Sequence, residues 1–130
     1  MVIESGNGTY KAIILKDEKN EVSKCVMSAD KSNWRISAWY TKEECFGQGL
    51  GKKCMKELVH HIYSILGRPE CIEYIWNGQN DYVYEWMERH FSPVSKCPII
   101  VQKYQAEDDW DSHVYKLDVN AFLKYFEVAI

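Results

Sequence analysis

The sequence has 130 residues, of which 46% are hydrophobic and 14% aromatic, enough for one packed domain. Its net charge of -3 and isoelectric point near 5.8 exclude a strong overall positive field, so we expect neither nucleic acid nor a membrane as a partner. Five cysteines without a Cys-x-x-Cys pair, and no signal-like or long apolar run, predict a cytoplasmic protein with reduced thiols.

The first predicted elements are three antiparallel strands. Residues 10–15 and 22–27 are apolar and β-prone on either side of the polar turn 16–20, which predicts a hairpin. A second polar turn leads into residues 34–41, whose β-branched and aromatic side chains predict a third strand. This strand ends just before a glycine-rich segment.

A long amphipathic helix follows the glycines. Its apolar positions recur every four residues and are Leu50, Cys54, Leu58, Ile62 and Leu66. Gly67 and Pro69 are residue types expected at a helix end. Residues 71–76 then predict a short apolar strand. Because a helix separates it from the strand at 34–41, a right-handed parallel crossover is expected.

The last part of the chain predicts two further strands between two helices. Asn80 or Asp81 can cap a helix that reaches about Arg89. Residues 99–104 are β-rich, and residues 113–119 predict another strand opposite them.

Asn120 is the predicted cap of a final helix over residues 121–127. The order of elements is then β-β-β-α-β-α-β-β-α, and no repeat or linker divides the chain. This order predicts a single domain over residues 1–130 with an α/β or α+β fold, in which helices pack on a mixed sheet.

The connection between the third strand and the long helix carries the strongest functional signal. It reads Phe46-Gly47-Gln48-Gly49-Leu50-Gly51-Lys52. Alternate glycines let a backbone adopt unusual angles and approach a ligand closely. The free N–H groups and positive dipole end of the next helix, with Lys52 and Lys53, favour an anion such as phosphate. A flexible connection without a ligand is the alternative interpretation.

The spacing of the glycines disfavours the two commonest phosphate loops. A Walker A loop needs Gly-x-x-x-x-Gly-Lys-Ser/Thr, but Phe46 stands at its first glycine and Lys53 at its hydroxyl position. The Rossmann spacing Gly-x-Gly-x-x-Gly also differs, since Gly47, Gly49 and Gly51 alternate. Another kind of phosphate site is therefore expected.

The loop resembles the acetyl-CoA signature of the GNAT superfamily of N-acetyltransferases, Arg/Gln-x-x-Gly-x-Gly/Ala. Gly49 and Gly51 match its two required glycines, and Phe46 stands in place of the usual Arg or Gln. A second stretch is similar to the family's Asn-x-x-Ala-x-x-Leu-Tyr-Glu-Lys-x-Gly-Phe, with one residue deleted before the final Phe. Its matching positions are Asn80, Val83, Trp86, Glu88, Arg89 and Phe91.

The resemblance implies a GNAT-like fold, in which a mixed, mostly antiparallel sheet has a V-shaped gap between two parallel strands and is flanked by helices. Those strands would be residues 34–41 and 71–76. Acetyl-CoA would be the co-substrate, held by the loop at 46–52 and by Asn80, and no metal would be needed. The residues whose backbone would bond the pantetheine arm are Trp39, Tyr40 and Thr41.

The implied activity is transfer of acetyl to a primary amine, on a small molecule or a protein, by direct attack. Met87 stands where the family often has a tyrosine as general acid, and a thioether has no proton to give. Tyr84, one turn earlier, is the candidate acid, with Tyr82 and His90 as alternatives.

Glu73 is the candidate base, and Glu43 and Glu44 are alternatives, although a solvated surface carboxylate is the commoner role for residues of this type. Residues 1–9 replace the family's first strand and two helices, so the acceptor site would be open or completed by the second subunit of a homodimer. A catalytically weak or inactive acyl-CoA-binding or interaction module of the same fold is the alternative function.

Overall fold

The computed structural model of the chain describes residues 1–76, 81–105 and 113–128. The strands are β1 (Val2–Gly6), β2 (Thr9–Leu15), β3 (Glu21–Ala29), β4 (Asn33–Thr41), β5 (Cys71–Trp76), β6 (Ile100–Gln105) and β7 (His113–Leu117). The helices are α1 (Leu50–Leu66), α2 (Asp81–Phe91) and α3 (Val119–Tyr125), and a 3-10 turn spans Glu43–Cys45. The strands form one sheet in the order β1-β2-β3-β4-β5-β7-β6, which confirms the predicted mixed sheet.

The first strand, β1, was not predicted from the sequence. β1 pairs antiparallel with β2 through a tight turn at Asn7 and Gly8, whose φ angles are 52° and 77°. An Asn-Gly pair with both φ angles positive is typical of a two-residue hairpin, because its twist matches that of the flanking strands. The Asn-Gly dipeptide was therefore the signal that could have predicted β1.

The start of α3 also corrects the prediction. Asp118, rather than Asn120, is the N-cap, and its carboxylate accepts a hydrogen bond from the N–H of Ala121 at 2.8 Å. The helix therefore begins at Val119, and β7 ends at Leu117 instead of reaching residue 119. Asn120 lies within the first turn and accepts a hydrogen bond from Arg68.

β4 and β5 are parallel neighbours that separate part-way along their length. They pair from Asn33 opposite Cys71 to Ile36 opposite Tyr74. Beyond Ile36, β4 continues to Thr41 beside β3, whereas β5 continues beside β7. The connection through α1 is thus a parallel crossover, as predicted, and a gap opens between the ends of the two strands.

The described helices pack on one face of the sheet. Cys25 and Trp39 are opposite each other on β3 and β4, so their side chains share a face. Cys54 of α1 contacts Cys25, and the rings of Trp86 on α2 and Phe126 just after α3 contact Trp39. The buried core therefore lies between this face and the helices.

The other face of the sheet is more polar. Arg35 of β4 is paired with Glu73 of β5, which is paired in turn with Lys116 of β7, and the alternation of strand side chains directs all three away from the helices. Arg35 and Lys116 are exposed there.

Candidate functional site

A cleft of about 640 Å³ lies between the start of α1, the end of β4 and one side of α2. It is lined by Trp39, Tyr40 and Thr41, by Cys45, by the loop from Phe46 to Lys52 except Gln48, and by three residues of α2. Its volume is within the range usual for small-molecule sites. The structure thus brings the two predicted sets of coenzyme residues, at the end of β4 and in the glycine loop, together with one side of α2.

The three alternate glycines have different structural roles. Gly47 and Gly49 have φ angles of 83° and 72°, and a Cβ at either would meet nothing within 4 Å, so open space lies in front of this backbone. Gly51 lies in the first turn of α1, where a Cβ would come within 3.1 Å of the Thr41 hydroxyl oxygen. Two glycines therefore shape the loop, and the third lets α1 approach β4 closely.

The first turn of α1 offers hydrogen-bond donors to the cleft. Gly49 is the N-cap and supplies no capping side chain, and the first bond of the helix is from the N–H of Lys53 to the Gly49 carbonyl at 3.0 Å. The N–H groups of residues 50–52 precede that bond and have no intrahelical partner. Together with the positive end of the helix dipole they favour an anion.

The end of β4 offers backbone groups to the same space. The Tyr40 carbonyl accepts a hydrogen bond from the Ser23 hydroxyl at 3.1 Å, which fixes it toward β3. Successive strand residues present their N–H and C=O groups to alternate sides, so Trp39 and Thr41 present theirs toward the gap beside β5. The Trp39 indole donates to the Gly51 carbonyl at 3.0 Å and ties this edge to α1.

The side-chain hydroxyl of Tyr40 is engaged in a hydrogen bond within the protein. It donates to the Glu21 carboxylate at 2.7 Å, and burial together with this bond raises the pKa of Tyr40 to about 12. At neutral pH Tyr40 is therefore a neutral structural group.

The opposite wall of the cleft consists of residues that match the second GNAT motif in the sequence but were not predicted to line the coenzyme site. It consists of Val83, Trp86 and Arg89 of α2, which recur every three residues and so share one side of the helix. The rings of Trp39 and Trp86 meet edge to face at 5.6 Å across the cleft. The three-residue spacing was the signal in the sequence, but only the fold shows that this side of α2 faces the glycine loop.

No family model and no curated protein matches the sequence, but solved structures match its fold. A protein described as a GNAT-family acetyltransferase, from Desulfovibrio desulfuricans, superposes with a TM-score of 0.57 at 15% identity, covering 85% of this chain and 68% of that chain. Aminoglycoside 6′-acetyltransferase type Ii gives 0.55 at 11% identity, with 88% and 70% covered. The NatC complex bound to Gag peptide and CoA gives 0.50 at 16%, with 84% and 68% covered.

The chain has the GNAT fold. The parallel pair β4 and β5, the gap between their ends and the glycine loop before α1 are the features on which the sequence resemblance to GNAT enzymes was based, and the predicted fold class is confirmed. The missed strand β1 makes the strand numbers agree as well, because residues 34–41 and 71–76 are the fourth and fifth strands of the sheet.

Tyr84, the candidate acid of this GNAT fold, lies in an aromatic cluster and does not line the cleft. Its ring stacks on Trp76 at 4.6 Å, and its hydroxyl accepts a hydrogen bond from the Lys103 ammonium at 3.0 Å. Met87, at the position of the family's tyrosine, is fully buried in the core. The structure therefore does not bring an acidic hydroxyl from either position to the cleft.

Glu88 anchors the same cluster. Its carboxylate accepts hydrogen bonds from Lys103 at 2.7 Å and from the Tyr115 hydroxyl at 3.0 Å. Burial would raise the pKa of Glu88, but these two bonds outweigh it and lower that pKa. Burial likewise would lower the pKa of Lys103, and the bond to Glu88 raises it. Both groups are charged at neutral pH, so α2 is tied to β6 by an ion pair and to β7 by the hydrogen bond from Tyr115.

Glu73, the candidate base, points away from the cleft. Its neighbours on β5, Ile72 and Tyr74, are buried against the helices, so Glu73 lies on the other face. There its carboxylate accepts hydrogen bonds from the Tyr104 hydroxyl at 2.6 Å and from Arg35 at 3.4 Å. The fold thus gives it structural partners and does not bring it to the glycine loop.

The alternative bases Glu43 and Glu44 are exposed in the 3-10 turn that precedes the loop. Asn80, predicted to contact the coenzyme, lies outside the residues that the structure describes. Among those it does describe, no three His, Cys, Asp or Glu side chains are arranged to hold a metal ion. Within the same residues, no helix is long and apolar enough to cross a membrane.

Proposed function

We propose that the protein is an N-acetyltransferase that moves acetyl from acetyl-CoA to a primary amine by direct attack. The observation that carries this proposal is the meeting of the glycine loop, the free N–H groups of α1 and the open edge of β4 in one cleft of a GNAT fold. The space in front of Gly47 and Gly49 fits a phosphate close to the backbone.

Each wall of the cleft has a part in the reaction we propose. The loop and the first turn of α1 bind the pyrophosphate, and the backbone of Trp39 and Thr41 orients the pantetheine arm, so that the thioester lies in the gap beside β5. Bound acetyl-CoA supplies an activated acyl carbon. A neutral amine then forms the new C–N bond as the C–S bond breaks, and the amine proton leaves while the thiolate gains one.

A matched pair of glycine variants tests coenzyme binding. Gly49 and Gly67 have φ angles of 72° and 76°, neither has an atom within 4 Å of a Cβ, and only Gly49 lines the cleft. Gly49→Glu imposes about 1–2 kcal/mol of left-handed strain. Gly67 has a ψ angle of -162°, in a region almost confined to glycine, so Gly67→Glu imposes at least as much strain, about 1–3 kcal/mol. We expect calorimetric titration to show that Gly49→Glu loses acetyl-CoA binding and that Gly67→Glu keeps it. An unmodified protein that binds no acetyl-CoA at millimolar concentration would end the proposal.

A second function is favoured by a specific observation. Met87 is buried, and Tyr84 is stacked on Trp76 in the aromatic cluster and does not line the cleft, so neither offers an acid to the cleft. The chain could therefore be an acyl-CoA-binding module of the same fold that turns over slowly or not at all.

Release of CoA thiol separates the enzyme from the module. The acceptor we propose is a primary amine of a small molecule or a protein, and the fold occurs both in an aminoglycoside acetyltransferase and in NatC, whose complex holds a peptide and CoA. The panel should therefore contain aminoglycosides, polyamines and peptide N-termini. Thiol release with one of these amines supports the transferase, and tight binding without release from any of them supports the module.

A further inference from the structure

The cleft has two cationic side chains, and they differ in their contacts with the rest of the protein. Lys52 and Arg89 are the charged residues among those that line it, and no described carboxylate does. The net charge of -3 supplies no overall attraction for a polyanion, so local groups must provide it. Coenzyme A carries a pyrophosphate and a further phosphate, which makes the placement of these two cations decisive.

The glycine loop contributes backbone donors, and its cation is Lys52 at its end. Phe46, at the position where the GNAT signature usually has Arg or Gln, is an aromatic residue that lines the cleft. Lys52 is engaged elsewhere, since its ammonium lies 4.5 Å from the centre of the Tyr125 ring. An ammonium in such a position is held by the negative face of the ring.

Arg89, unlike Lys52, is not engaged by another described residue. It is exposed in the last turn of α2, lines the cleft across from the glycine loop, and has no hydrogen bond or ion pair with another described residue. Its helix is fixed by Trp86, whose ring contacts Trp39 at 5.6 Å and Phe91 at 4.9 Å. An unpaired guanidinium is thus held on the wall that faces the free N–H groups of α1.

We propose that Arg89 binds the pyrophosphate of coenzyme A from the side opposite the glycine loop and takes the part of a cation that this loop lacks at Phe46. This inference rests on the proposed coenzyme site. The planar guanidinium can donate two parallel hydrogen bonds to phosphate oxygens, whereas a lysine ammonium acts as a single point charge. The pyrophosphate would then be bound from two walls.

Calorimetric titration of three variants with CoA tests the inference. Arg89→Gln should weaken binding by about 10- to 100-fold, the loss usual for charge-assisted hydrogen bonds. Arg89→Lys keeps the charge without the fork and should fall between Arg89→Gln and the unmodified protein. Arg35→Gln makes the same change of charge at an exposed arginine on the other sheet face, and should bind within about twofold of the unmodified protein.

Titration with a second ligand, dephospho-CoA, shows which phosphate Arg89 binds. Dephospho-CoA lacks the 3′-phosphate but keeps the pyrophosphate, so Arg89→Gln should weaken its binding by the same factor. A loss seen with CoA and absent with dephospho-CoA would overturn the inference, because Arg89 would then bind the 3′-phosphate. Equal thermal midpoints of the variants check that each is folded. If Arg89→Gln does not fold, Arg89→Lys still tests the inference.

Failure of the inference and failure of the proposed function give different results. If the unmodified protein binds CoA and Arg89→Gln binds it equally well, only the role of Arg89 is wrong. If the unmodified protein does not bind CoA, the proposed function and this inference are both wrong.

Discussion

At the scale of single residues, the lack of a side chain at Gly51 sets the geometry of the cleft. Its absent Cβ lets α1 lie against β4, where the Trp39 indole bonds its carbonyl and the Thr41 hydroxyl lies close by. The Thr41 hydroxyl is itself held by the Ser23 hydroxyl at 3.0 Å, so it cannot move freely. The position of the α1 amides therefore depends on this contact.

We predict that Gly51→Ala lowers the free energy of unfolding by about 1–3 kcal/mol, the usual cost of overpacking. The better helix propensity of alanine opposes this loss by at most about 1 kcal/mol. Urea denaturation of Gly51→Ala, Thr41→Ala and the double variant measures the change in the free energy of unfolding. Because Thr41→Ala removes the obstructing hydroxyl, the cost of Gly51→Ala should shrink in that background, and an equal cost in both would contradict the explanation.

At the scale of elements, the position of α2 decides what faces the glycine loop. Trp86 packs it against Trp39 on β4, and Glu88 ties it to Lys103 on β6 and to Tyr115 on β7. These contacts turn Val83 and Arg89 toward the cleft and Tyr84 toward the aromatic cluster. The orientation of one helix thus supplies a cation to the cleft and withholds the candidate acid from it.

We predict that Glu88→Gln destabilises the protein at neutral pH and that this effect fades in acid. The folded-state pKa of Glu88 lies below its ordinary value of 4.5, so its ionised form contributes stability above that pH and loses it as the pH falls through the folded-state pKa. Urea denaturation at pH 7 and below pH 4 should therefore show a smaller difference between Glu88→Gln and the unmodified protein in acid.

Glu85→Gln is the matched control, because Glu85 is an exposed glutamate on the same helix without an ion pair to a described residue. It should show little effect at either pH. A loss with Glu88→Gln that stays constant with pH would mean that the Glu88 carboxylate does not act through its charge.

At the scale of the whole molecule, the described helices cover one face of the sheet and leave Arg35, Glu73 and Lys116 on the other. The resemblance to GNAT enzymes implies an acceptor site that is open or completed by a second subunit. Both the openness of the acceptor site and the assembly stay predictions, and a sedimentation measurement can test the assembly.

We predict that acetyl-CoA raises the thermal midpoint of the protein. A ligand that binds only the folded state at 100 times its Kd adds about 2.7 kcal/mol, which for a domain of this size corresponds to roughly 10 °C. Differential scanning fluorimetry measures the shift. Gly67→Glu should show it and Gly49→Glu should not, and equal shifts in both would place the ligand outside the cleft.

Local patterns in the sequence determined most of the elements. The four-residue repeat from Leu50 predicted α1 to its last residue, and the alternating strands and polar turns predicted β2 to β5 within about two residues. The glycine loop could be predicted because backbone freedom and a helix start are properties of a short segment. The same kind of local signal was present at Asn7 and Gly8 and was missed.

The tertiary structure alone decided which side chains meet. Glu73 looked like a base near the coenzyme, but strand alternation against a buried Ile72 and Tyr74 directs it to the other face. Arg89 is far from the glycine loop in sequence and faces it only because α2 packs against β4. Sequence periodicity fixes which residues share a side of an element, whereas the partner of that side depends on strand order and helix packing, which are non-local.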